Sequence, residues 1–153
     1  MKLGKTFLNF IVLCGLVACG DSAAGVDEVD EIPNIAGNWT YNLSFLGNGL
    51  SCVYDPSAVT INQTGGTFTG RIEIPDATCT VQGEAPFSLG DWGATIVNGT
   101  VNAAGEITFD WGSPDTAHHT GTASPTSMSG TMTGDDDTNG IPDAVTGPWT
   151  ATR

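Results

Sequence analysis

The chain has 153 residues, 39% of them hydrophobic, with seventeen acidic and four basic side chains and a formal net charge of −13. A surface this acidic repels phosphate backbones, so we expect no nucleic-acid partner. The length suits one domain with one hydrophobic core after a short N-terminal segment.

The first eighteen residues have the pattern of an export signal. Lys2 and Lys5 precede the apolar run "TFLNFIVLCGLVA", which extends from Thr6 to Ala18. At 1.5 Å per residue this run spans about 20 Å of helix, short of the roughly 30 Å of a bilayer core. We therefore predict a signal peptide over residues 1–18 and not a transmembrane helix.

The apolar run ends in "LVAC", Leu16-Val17-Ala18-Cys19, which resembles the lipobox of bacterial lipoproteins. The resemblance implies cleavage before Cys19, a diacylglyceryl group on its thiol and a further acyl chain, such as palmitate, on its amine. Two or more chains anchor a protein stably in a membrane without spanning it. Gly20 occupies the position at which aspartate would signal retention in the inner membrane. The resemblance therefore implies an anchor in the outer membrane, and it leaves open which face of that membrane carries the protein. The alternative is an ordinary signal peptide with an incidental cysteine.

Residues 19–33 follow as a small, acidic segment without aromatic side chains. Such a composition buries too little apolar area to offset its ordering entropy, so we predict a flexible tether. The remaining residues, 34–153, form the predicted folded domain. It holds Cys52 and Cys79, which we expect to form a disulfide in an oxidising envelope.

The domain alternates apolar and polar residues with a period of two. In "GNWTYNLSF", Trp39, Tyr41, Leu43 and Phe45 share one face. Eight further segments are predicted as strands: "AVTINQ", "GTFTGRIEI", "TCTVQG", "ATIVNGTV", "EITFDW", "HHTGTAS", "TSMSGTMT" and "GPWTATR". Glycine, asparagine and proline turn signals separate them, and no segment has a helical stripe. We predict an all-β domain, a single antiparallel up-and-down barrel of about eight strands, with a β-sandwich as the alternative.

The start of the first strand, "AGNW", is similar to the Gly-x-Trp that opens the barrels of lipocalins and avidins, the calycin group. That resemblance implies that Trp39 plugs one end of the barrel beneath a basic side chain from a late strand. Arg153 is the first candidate for a cation–π contact with Trp39, and Arg71 is the other. Plain core packing of Trp39 is the alternative.

An eight-stranded barrel is either filled by its own side chains or just wide enough for one small ligand. Two functions follow from these alternatives. The protein binds a small ligand, for which a hydrophobic molecule is a candidate, or it is a structural or surface-interaction module with a filled core.

No linear motif of a familiar enzyme class is present, so we predict that the protein is not an enzyme. The two histidines, His118 and His119, are adjacent and point to opposite faces of a strand, so they cannot share one metal ion. We expect both at the surface, one of them paired with Asp110 or Asp115.

The segment "GDDDTNGIPDAV", from Gly134 to Val145, fits the first half of an EF-hand calcium loop. Its "NGIPD" also resembles thrombospondin type 3 repeats. That resemblance implies calcium ligands at Asp135, Asp137, Asn139, the Ile141 carbonyl and Asp143. Thr146 stands where an EF-hand has its bidentate glutamate, and Asn139-Gly140 alone is a hairpin-turn signal. Weak calcium binding and a polar turn without a metal are therefore both open.

Overall fold

The computed structural model describes residues 31–47, 49–112, 116–135 and 144–153. The predicted signal peptide, Cys19 and most of the tether lie outside these ranges. Within them the regular structure is made of strands only, and no helix has the length and apolar character needed to cross a membrane.

The chain forms eleven strands, all paired antiparallel. In chain order they are β1 Gly37–Gly47, β2 Leu50–Tyr54, β3 Ser57–Thr64, β4 Thr67–Ile74, β5 Ala77–Val81, β6 Phe87–Ser88, β7 Trp92–Val101, β8 Glu106–Gly112, β9 Thr116–Ala123, β10 Ser127–Asp135 and β11 Ala144–Thr152. Nine of them overlap the segments predicted from alternation, and β2 and β6 were not predicted.

Eight of the strands close into a barrel. Their neighbour order is β1-β3-β4-β7-β8-β9-β10-β11, and β11 returns to pair with β1. The closing register joins Leu43 to Trp149 and Thr40 to Thr152. The predicted antiparallel barrel is therefore confirmed, in an arrangement consistent with calycin barrels, and the sandwich alternative is wrong.

The remaining three strands form a ribbon that leaves the barrel wall. The first half of β1 pairs with β3, whereas its second half, from Ser44 onward, pairs with β2 on the same edge. β2 pairs with β5, and β5 with β6. The breaks between β2 and β3 and between β4 and β5 each contain a proline, Pro56 and Pro75, and the Asp55 amide donates to the Asp76 carbonyl across them at 3.0 Å. We call this bend the proline corner; β2–β5 continues the β3–β4 hairpin beyond it.

The disulfide lies on the ribbon. Cys52 and Cys79 are direct register partners on β2 and β5, and their sulfur atoms are bonded across 27 residues of sequence. Both side chains are buried. The predicted pairing is confirmed.

The two ends of the barrel differ. At the end where the chain enters, the Gln63 side chain binds the Ile35 amide at 2.7 Å and the Pro33 carbonyl at 3.0 Å, so the entering segment is held to the end of β3. We call this the plugged end. The proline corner lies at the opposite end, which we call the corner end.

The barrel interior is filled by side chains. Each barrel strand has inward-facing residues that are buried, among them Ile61, Ile72, Ile107 and Met132. A cavity between inward-facing side chains, lined among others by Ile61, Ile72 and Ile107, has a volume of about 10 Å³. That volume holds about one water molecule.

Candidate functional site

Two polar side chains meet inside the barrel. His119, on β9, is completely buried, and Tyr41, on β1, is 3% exposed. The Tyr41 hydroxyl lies 2.9 Å from His119 Nε2, a hydrogen bond between strands that are not neighbours in the sheet. The pair is therefore held by the closed barrel, since neither strand alone brings these atoms together.

Aromatic rings surround this pair. The His119 ring stacks on Phe109 with centroids 4.3 Å apart and planes 10° apart. Trp111 lies at 4.9 Å from the same ring and Trp149 at 6.0 Å. Tyr41 also stacks on Trp149, at 6.0 Å and 22°. We call these five residues the aromatic cage.

Three buried nitrogen atoms of the cage lack a hydrogen-bond partner among the residues that the structure describes: Trp111 Nε1, His119 Nδ1 and Trp149 Nε1. Burial raises the pKa of Tyr41 well above its usual value, so its hydroxyl keeps its proton. When that hydroxyl donates to His119 Nε2, the imidazole proton sits on Nδ1. The two indole N–H groups of the cage have no acceptor among the described residues, and each such group costs about 1 to 3 kcal/mol.

The His119 imidazole stays neutral over most of the pH range. Desolvation by burial lowers the pKa of His119 to about 3, and the Ala117 and Phe109 carbonyls only partly oppose this effect. The cage therefore holds no charge at neutral pH. It offers hydrogen-bond donors inside an apolar wall.

The prediction of two surface histidines is right for His118 and wrong for His119. His118 lies outside the barrel, with Nδ1 2.6 Å from Asp110 Oδ1. Hydrogen bonds from Asn98 and His118 hold the pKa of Asp110 below its usual value. Because adjacent strand residues point to opposite faces, an exposed His118 places His119 in the core.

The residues predicted to close the barrel end lie together at the plugged end. The Arg153 guanidinium carbon lies 4.4 Å from the centroid of the Trp39 ring. Arg153 also donates to the Ala36 and Asn34 carbonyls, both at 2.7 Å, and Trp39 Nε1 donates to the Ile35 carbonyl at 2.9 Å. Arg71, the other candidate, lies on β4 and pairs with Glu73.

The predicted calcium loop lies almost wholly outside the described residues. Asp135 ends β10 opposite Ala144. The other four predicted ligands, Asp137, Asn139, Ile141 and Asp143, fall outside the described ranges. Within the part of the chain that the structure describes, no three His, Cys, Asp or Glu side chains form a metal-binding group. Calcium binding stays a prediction.

No protein-family profile and no curated protein matches the sequence. Among solved structures, the chain is similar to the S-type phycobiliprotein lyase CPES from Guillardia theta. The TM-score is 0.43 at 10% sequence identity, over 77% of this chain and 87% of that one. A likeness of this degree transfers no activity to this chain.

That neighbour is named as a lyase, and the prediction that the protein is not an enzyme is withdrawn. The prediction relied on linear motifs, and it is corrected. Groups that only the folded barrel brings together, as it does Tyr41 and His119, form no linear motif.

Proposed function

We propose that the protein is a lipid-anchored β-barrel of the bacterial cell envelope that binds a small ligand inside the aromatic cage. The observation that carries the proposal is the pair of buried indole N–H groups, on Trp111 and Trp149, that have no acceptor among the described residues and lie beside the neutral His119 ring. A ligand that supplies an acceptor there recovers hydrogen bonds that the free protein lacks.

The cage restricts the chemistry of such a ligand. Its polar atoms are donors and its walls are aromatic, so the ligand has an apolar body and one acceptor oxygen. Neutral His119 supplies no positive charge, which favours a carbonyl over a carboxylate. With a cavity of about 10 Å³, a ligand larger than water enters only if cage side chains move.

A matched pair of probes tests this proposal. Acetophenone should raise the unfolding midpoint more than ethylbenzene does, because the two differ mainly by the carbonyl oxygen that the cage donors bind. Thermal unfolding of the full chain at increasing concentrations of each probe measures the difference. The variant Trp111→Phe lacks one donor, so the difference between the midpoint shifts of the two probes should become smaller. Phe109→Leu keeps all donors, so that difference should stay the same.

Equal responses to the two probes, or none, would contradict an interior ligand site. The second candidate function is then a structural or surface-interaction module. The filled interior favours that candidate, since the closed barrel needs no ligand to complete its packing.

The anchor is supported by sequence alone, through the lipobox-like Leu16-Val17-Ala18-Cys19. In a bacterial host, Cys19→Ser should move the protein from the detergent phase to the aqueous phase of a Triton X-114 extract, because no acyl chain is attached. Cys14→Ser is the matched control and should stay in the detergent phase. A Cys19→Ser protein that remains in the detergent phase would refute the anchor. Gly20, at the position where aspartate would signal inner-membrane retention, favours the outer membrane for the proposed anchor.

A further inference from the structure

A second concave site lies on the outer wall of the barrel at the corner end. It has a volume of about 550 Å³, within the range of small-molecule sites, and lies against the proline corner. We call it the corner groove. No residue that lines it also lines the interior cavity, so the two sites are separate.

An ion pair crosses the groove over a glycine. Arg71 Nε donates to Glu73 Oε1, and these side chains are 60% and 57% exposed. A Cβ atom on Gly93 would lie 2.8 Å from Glu73 Oε2, 2.9 Å from the Ile72 carbonyl oxygen and 3.0 Å from Arg71 Nη2, so the ion pair would have to shift. The pair can lie there because residue 93 has no side chain.

The charges of the groove disfavour an anionic ligand. Arg71 is accompanied by two carboxylates, Glu73 and Asp91, and the chain as a whole is strongly acidic. Among the described residues the other arginine is Arg153, whose guanidinium is bound at the plugged end. An anion therefore meets net repulsion, while a neutral ligand finds both a donor and acceptors.

Trp92 adds a flat apolar surface to these polar groups. Trp92 is half-buried, and its ring makes T-shaped contacts with Tyr54 and Trp111 at centroid distances of 6.1 Å and 5.5 Å. These contacts restrict the ring orientation, and Trp92 and Pro75 both line the groove. A rigid aromatic surface next to charged hydrogen-bonding groups suits a ring with an apolar face and a polar edge.

We infer that the corner groove binds a neutral saccharide. Arg71 donates to hydroxyl oxygens, Glu73 and Asp91 accept from hydroxyl hydrogens, and Trp92 packs against the C–H face of a pyranose. The inference does not depend on the interior ligand, since the sites share no residue.

Saturation-transfer NMR on the full chain tests it, in a detergent without a sugar headgroup. The probes are cellotetraose, maltotetraose and chitotetraose, and at least one should bind. Arg71→Met and Glu73→Gln should each weaken that binding about tenfold, the loss expected for a charge-assisted hydrogen bond. Both side chains are exposed, so these variants should keep the wild-type unfolding midpoint.

Two further variants sharpen the test. Gly93→Ala should weaken binding, because its Cβ shifts the ion pair; the same Cβ approaches the Ile72 carbonyl oxygen, so its unfolding midpoint is measured alongside. Glu84→Gln changes an exposed carboxylate outside the groove and should bind like wild type. The inference is overturned if none of the three probes binds at millimolar concentration, or if Arg71→Met and Glu73→Gln both leave binding unchanged. A sulfated oligosaccharide that binds as well as a neutral one would also overturn it. The acetophenone response is independent of all these results.

Discussion

Lowering the pH from 7 to about 3 should cost the barrel roughly 4 kcal/mol of unfolding free energy through His119 alone. In the unfolded chain this imidazole takes a proton near pH 6.5. In the folded barrel, burial lowers its pKa to about 3. Between these pH values the unfolded state binds a proton that the folded state excludes. The free energy of unfolding is therefore undiminished by His119 above about pH 6.5, and it falls as the pH drops toward 3.

Urea unfolding at a series of pH values measures this slope, with the double variant Tyr41→Phe/His119→Phe as the reference. The double variant removes both hydrogen-bonding partners, so neither is left unpaired by the loss of the other. Asp110 and Asp76, whose pKa values hydrogen bonds lower, lose stability in acid in both proteins, and their effect cancels in the difference. Parallel pH curves for the two proteins would show that His119 is not buried in a neutral form.

Removing the Cys52–Cys79 disulfide should cost roughly 3 to 3.5 kcal/mol, because it closes a loop of 27 residues in the unfolded chain. The variant Cys52→Ala/Cys79→Ala, compared with wild type by urea unfolding, measures the loss. The effect should concentrate on the ribbon, because β2 is joined to the barrel through only the last part of β1.

Reductant provides the control for that comparison. It should destabilise the wild type by a similar amount and leave the double variant unchanged. Thiol labelling at Cys52 and Cys79 without reductant, located by peptide mass spectrometry, would contradict the bond. A loss below about 1 kcal/mol would indicate that the unfolded chain is already compact in this region.

The barrel was predictable because each barrel strand has one face in the core and one in solvent. The alternation of apolar and polar residues along the sequence follows directly from these two faces. The ribbon was not predictable. β6 is only two residues long, Phe87–Ser88, too short for any periodic pattern. β2 is short and follows a Gly-Asn-Gly sequence that reads as a turn, so its pairing depends on the switch of partner along β1.

The cage was predictable only in part. The alternation of β1 placed Tyr41 inward, but the adjacency of His118 and His119 does not say which of them does the same. The neighbours on β9 carry that signal: His119 shares its face with Ala117 and Gly121, whereas His118 shares its face with threonines. The Tyr41–His119 contact itself spans 78 residues and depends on closure of the barrel, which no local pattern records.

Entry of the chain at the plugged end gives the molecule a polarity. Whatever precedes Glu31 is attached beside Trp39 and Arg153, at one pole of the barrel. The eight residues of β4, at about 3.3 Å each and tilted in the wall, place the proline corner some 20 Å away at the other pole. A lipid attached at Cys19 would therefore tether the barrel through its plugged end, the end opposite the corner groove.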